Sequence, residues 1–147
     1  MLQRQVRAAG ALVFIIQHDG APSHRLARGP EDWQIRREVA PIEGDIVVKN
    51  PHSDDFLDTD LTSQLEARRV THLVMTGYMS QYCVDITARR AVALGYCVTL
   101  VGDGHGTNDD GALRHDQIVA HHNNLLSKIY YPDTELVIKG VKDFSFS

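Results

Sequence analysis

The chain has 147 residues, 43% of them hydrophobic and 23% charged, with a net charge of −4 and a pI near 6.0. That length suits one domain with a substantial core and falls short of two, so residues 1–147 are expected to form a single domain. The basic pairs Arg36–Arg37, Arg68–Arg69 and Arg89–Arg90 are scattered and form no face for a phosphate backbone. The longest apolar run, residues 11–16, is far below the roughly 20 residues that cross a bilayer. Nucleic acid and membrane are therefore not expected partners, and a soluble, cytoplasmic protein is.

In chain order, residues 2–9, "LQRQVRAA", have helix-forming composition and stop at Gly10, where a C-terminal cap falls. Residues 11–18, "ALVFIIQH", form a continuous apolar, β-branched run of strand length, the pattern of a strand covered on both faces in a parallel sheet. Residues 19–44 hold Gly20, Pro22, Gly29, Pro30, Pro41 and Gly44 and read as a long loop with a short helical turn around Trp33. Loops of that length are usually functional. "DIVVK", residues 45–49, is a short strand ending on a lysine. Asp58 or Thr59 is a suitable N-cap for a helix that places Leu61 and Leu65 one turn apart, and "THLVMTG", residues 71–77, is the next strand.

The alternation then repeats. "CVDITARRAVALG" puts Val84, Ala88, Ala91 and Leu94 on one helical face, closed by Gly95, and leads into the strand "CVTLVGDG". "GDGHG", residues 102–106, reads as a turn rather than a phosphate-cradling loop, because its third glycine is misplaced for such a motif. A last helix over residues 111–129 precedes the strand "ELVIKG". Strands alternating with helices predict a three-layer α/β domain with a mainly parallel, Rossmann-like sheet and right-handed crossovers.

The chain has two cysteines, Cys83 and Cys97, without C-x-x-C spacing, which suits reduced thiols rather than a disulfide framework or a zinc knuckle. Cys83 falls where a strand ends and a helix begins. Ligands of open α/β sheets sit beyond the carboxyl ends of the strands, and a helix N-terminus favours the reactive thiolate. Lys49 ends its strand on the same edge, where an ammonium favours a thiolate and polarises a carbonyl. Read alone, each residue has a plainer role. Cysteine packs as a small apolar side chain, the better fit for Cys97 at the start of its strand, and a strand-end lysine reaches solvent.

"GYMSQYCVDITARRAVALGYCVTLVGDGHGT", preceded by "IVVKNPHSDDFLDTDLTSQLEARRVTHLVMTG", resembles the isochorismatase-like cysteine hydrolases, a family that includes isochorismatases, nicotinamidases and amidases similar to streptothricin hydrolase. The likeness runs from about residue 1 to residue 129. It comprises a lysine-bearing strand followed by F-x-x-T-x-L, a glycine six residues before C-V-x-x-T-A, and the G-Y-x-V-T-L-V-x-D strand. "FIIQHDG" before a tryptophan-bearing loop also fits the family's second strand.

The resemblance implies catalytic roles for Cys83, as the nucleophile that forms a thioester, and for Lys49. It implies a cis peptide at Tyr78–Met79, an oxyanion hole from the amides of Met79 and Cys83, and a substrate pocket lined by Trp33, Tyr78 and Tyr82. Ordinary packing is an equal reading for each of those aromatics. It also implies a small-molecule substrate with an amide-type C–N bond and a homo-oligomer, dimer or tetramer. The nicotinamidase branch binds metal through an Asp-x-His pair and a later His. Here Asp19 is followed by Gly20 and Ala21, with His24 too far on, so no catalytic metal or other cofactor is expected. His115 and His122 share a helical face and lack a third ligand, the pattern of surface histidines.

The chain departs from the family at its start. The family's first strand, which carries a catalytic aspartate, has no counterpart, so the chain reads as N-terminally short. That leaves the flanking strands about 10 Å apart, two strand spacings, with unpaired backbone on both sides. Asp19 and Asp103 are on the right edge to substitute, although aspartates there are more often turn or cap residues. A catalytically silent binding domain is the alternative to the hydrolase, and a redox-sensing Cys83 is a third reading.

Overall fold

The computed structural model describes residues 2–23, 27, 29 and 31–145, which leaves His24 outside the described residues. The chain divides into two compact units, the first within Met1–Leu61 and the second Thr62–Phe144.

In the first unit, helix α1 (Leu2–Ala8) ends as expected at Gly10, whose φ of +71° is the left-handed conformation that glycine adopts without strain. Strand β1 (Phe14–His18) pairs in parallel with β2 (Ile46–Asn50), in a register from Phe14↔Ile46 to His18↔Asn50. β1 is shorter than its apolar run, since Ala11 and Leu12 are exposed. Val48 is almost fully buried, a change that stabilises by about 1.5–3 kcal/mol for such a side chain. The loop between the strands has 3-10 turns at Glu31–Trp33 and Arg37–Val39, the first of them at the expected tryptophan. Arg7 on α1 clamps Asp45, just before β2, through bonds of 3.2 and 2.5 Å, and the Asp45 side chain is only 4% exposed. The guanidinium holds this carboxyl below the usual carboxylate range.

Helix α2 (Leu61–Ala67) buries Leu61 and Leu65, the pair its spacing predicted, and the Thr59 hydroxyl accepts a hydrogen bond from the Leu61 amide at its start. In the second unit, β3 (His72–Tyr78), β4 (Cys97–Gly106) and β5 (Leu136–Lys139) form a parallel sheet in the order β3-β4-β5. Val98, Leu100 and Val101 of the central strand are completely buried. Helices α3 (Asp85–Ala93) and α4 (His115–Leu126) both contact β4, α3 burying Ala88, Ala91 and Val92, and α4 burying Ile118 and Leu126.

Two further details depart from the sequence pattern. Leu94 is 42% exposed because α3 ends before it, and Val92 takes its place in the core. Residues 102–106 are strand rather than turn: a register irregularity between Met75 and Gly77 lets the ladder resume with Gly77↔His105 and Tyr78↔Gly106.

Every strand pairing is parallel, so the fold is α/β as expected. The strands form two sheets, and among the described residues β1 and β3 each pair on one side only. β3 carries the mark of an edge strand, with Val74 42% exposed.

Candidate active site

The carboxyl end of β3 runs into the region around Cys83. The Tyr78–Met79 peptide is cis, as the resemblance implied. Sequence spacing predicted a helix from Cys83; the chain instead makes a π-helical turn, Ser80–Val84, and only then enters α3. The Met79 carbonyl accepts from the amides of Tyr82 at 3.2 Å and Val84 at 3.3 Å, which folds the turn back on the strand. Cys83 is half-buried on this turn, two residues before the first residue of α3, within reach of the partial positive charge of that helix end.

Tyr78 and Tyr82 stand out from the same segment, 52% and 46% exposed. Beneath them Ser80 is fully buried, its Oγ 2.8 Å from His105 Nδ1. Asp85 accepts from Arg89 one turn on at 2.9 and 3.1 Å, which raises the guanidinium pKa. Cys97 is also half-buried and begins β4, the structural place its sequence context gave it, and both cysteines are outside any disulfide.

In the first unit Lys49 stands one residue before the end of β2, in register with Gln17 of β1. Its ammonium donates to Gln17 Oε1 and lies 4.5 Å from the centre of the Trp33 ring. Gln17 is buried and donates from Nε2 to the Trp33 carbonyl at 2.8 Å. One buried amide thus orients both the lysine and the tryptophan loop. Neither this role of Gln17 nor the Lys49–Trp33 contact was legible in the sequence; a polar residue inside an apolar strand was the available sign. Asn50, also buried, accepts from the His52 amide at 2.7 Å and donates to Asp55 at 2.6 Å, stitching the segment after β2.

Asp103 is committed elsewhere: its Oδ1 accepts from the Val141 amide at 2.7 Å, the cap role typical of such an aspartate. Asp19 follows β1, and its amide donates to the Asn50 carbonyl at 2.8 Å. His115 pairs on the surface with Asp109 at 2.9 Å, and His122 Nδ1 donates to the Ile118 carbonyl at 2.8 Å.

Comparison with known proteins agrees with this architecture. The Isochorismatase domain family matches residues 1–126. A streptothricin hydrolase of Streptomyces noursei is 41% identical over 108 residues, which cover 74% of this chain and 39% of that protein. A ureidoacrylate amidohydrolase of Cronobacter sakazakii is 40% identical over 78 residues, 53% of this chain and 34% of that protein. The matched stretches thus span less than half the length of these two relatives. The crystal structure of an isochorismatase from Pseudomonas putida KT2440 superposes with a TM-score of 0.87 at 26% identity, covering 98% of this chain and 74% of that one. Family match, relatives and fold agree: the chain belongs to the isochorismatase family.

Proposed function

We propose that the protein is a cysteine hydrolase that cleaves an amide-type C–N bond of a small molecule through a thioester on Cys83. The observation that carries this reading is the placement of Cys83 on a tight turn between the carboxyl end of β3 and the N-terminus of α3. Such a position favours the thiolate, which attacks the substrate carbonyl carbon. The carbonyl electrons move to oxygen, the C–S bond forms and the C–N bond breaks as the amine leaves with the proton that the thiol gave up, and water then attacks the thioester to release the acid and restore the thiol. The Met79 and Cys83 amides are the proposed oxyanion donors and Lys49 the proposed catalytic cation. Tyr78, Tyr82 and Trp33 are proposed to contact substrate, which the exposure of the two tyrosines supports.

The single family match crosses both units, which supports reading residues 1–147 as one hydrolase domain. The names of the matched relatives, a streptothricin hydrolase and a ureidoacrylate amidohydrolase, support amides and ureides as the substrate class. The same reading makes the protein a cytoplasmic homo-oligomer. The exposed apolar residues of β3 support the oligomer, and two cysteines outside any disulfide support a reducing compartment. Among the described residues no helix is long and apolar enough to cross a membrane.

One observation favours the alternative, a catalytically silent small-molecule binding domain: the Asp103 carboxylate already caps the Val141 amide. The deciding experiment incubates the protein with a panel of small amides and ureides, following ammonia or amine release and the intact mass of the Cys83 acyl adduct. The hydrolase reading expects release that Cys83→Ala abolishes, and an acyl adduct on Cys83. Binding of panel members without release or adduct would establish the silent domain instead.

A further inference from the structure

The second unit holds a polar chain, buried at Ser80 and His105, that the hydrolase reading does not use. Ser80 Oγ lies 2.8 Å from His105 Nδ1, His105 Nε2 lies 2.8 Å from Asn123 Oδ1, and Asn123 Nδ2 donates to the Gly102 carbonyl at 2.9 Å. The last bond assigns the others. With its nitrogen engaged on Gly102, Asn123 turns its oxygen to the histidine, and an amide oxygen only accepts. His105 therefore carries a proton on Nε2, and in that tautomer Nδ1 accepts from the Ser80 hydroxyl.

Gly102 makes room for this arrangement. A Cβ there would stand 3.3 and 3.4 Å from the Asn123 amide atoms and 2.7 Å from Ile138 Cγ2. A serine bonded to a histidine invites comparison with a nucleophile, but Ser80 has no exposed surface and cannot meet a substrate. Its place in the backbone suggests a different task, because it is the first residue of the turn that carries Cys83.

We propose that His105 is a positioning residue for Cys83: held by Asn123 in one tautomer, it anchors the Ser80 hydroxyl and so fixes the turn that presents the thiol. The inference rests on the reading of Cys83 as nucleophile. Three elements meet in it, with α4 supplying Asn123, β4 supplying His105 and the π turn supplying Ser80. A buried hydroxyl that loses its acceptor is costly, so the turn stays where Oγ meets Nδ1.

The test compares the full chain with Ser80→Ala, His105→Asn and the double variant. Nitrogen NMR of the wild type should show His105 as the Nε2–H tautomer. Each single variant should slow iodoacetamide alkylation of Cys83 by about tenfold, the factor expected when a buried group loses one hydrogen bond. Cys97 should keep its rate and the thermal melt should remain cooperative. If His105 acts through Ser80, the double variant is no slower than the slower single one.

A neutral Nδ1–H tautomer, Cys83 rates unchanged or faster in folded variants, or effects that multiply in the double variant would overturn the proposal. Should His105→Asn not fold, the tautomer and Ser80→Ala decide. If wild-type Cys83 is no more reactive than Cys97, the nucleophile reading falls. The positioning claim is then judged on the backbone amide shifts of Gln81, Tyr82, Cys83 and Val84: it stands if Ser80→Ala moves them, and fails if they stay put.

Discussion

Gln17→Leu removes the amide that joins Lys49 to the tryptophan loop while keeping nearly the same volume. In the folded protein this amide accepts from the Lys49 ammonium and donates to the Trp33 carbonyl at 2.8 Å. A hydrogen bond to a charged group contributes about 1.5–3 kcal/mol and a neutral one about 1 kcal/mol. A leucine at this buried position recovers roughly 1–2 kcal/mol through apolar burial. The net loss is then about 0.5–3 kcal/mol, equivalent to a fall of up to about 1 M in the urea midpoint. Lys49 keeps its contact with the Trp33 ring, worth about 0.5–1 kcal/mol at an exposed site, but loses the acceptor that orients it. Trp33 is the only tryptophan in the chain, so its emission reports this neighbourhood alone. We expect a lower urea midpoint followed by Trp33 fluorescence and stronger acrylamide quenching before unfolding. Lys49→Met should change the quenching in the same direction with a smaller shift in midpoint. An unchanged midpoint together with unchanged quenching would refute the idea that Gln17 organises Lys49 and the loop.

The Arg7–Asp45 pair makes a pH prediction. The Asp45 carboxyl is held below its ordinary value in the folded state, so its contribution to stability is complete above the unfolded value of about 3.9 and is lost as pH falls through the folded one. Urea unfolding of the wild type and Asp45→Asn should therefore differ clearly at neutral pH and converge in strongly acidic buffer. Leu100→Ala in the fully buried centre of β4 should cost about 2–5 kcal/mol, read as a lowered melting temperature. Gly102→Ala places a methyl 2.7 Å from Ile138 Cγ2 and against Asn123; it should destabilise by about 1–3 kcal/mol in the same assay and loosen the Asn123 bond.

Much of the architecture was legible in the residues because period and punctuation are local properties. The apolar run before His18, the glycine at position 10 and the Leu61–Leu65 spacing each specify an element through neighbours a few residues away, and the structure has all three. The cis peptide is implied by motif resemblance and not by any propensity, whereas the place of Cys83 just past a strand follows from the strand–helix alternation. The π turn at Ser80–Val84 escaped notice since its apolar spacing is also that of an ordinary helix start. "GDGHG" looked like a turn because glycine density signals one, yet the bulge between Met75 and Gly77 allows the ladder to continue through His105.

Side-chain period and short motifs are enough for most of the elements, the parallel α/β class and the family. Only the tertiary structure decided which polar groups meet. Gln17 bonds Lys49 across a separation of 32 residues, Ser80 bonds His105 across 25, and His105 bonds Asn123 across 18. Such partners are chosen by strand register and helix packing, which bring distant residues within about 3 Å, and a buried polar group keeps its place only where a partner awaits it.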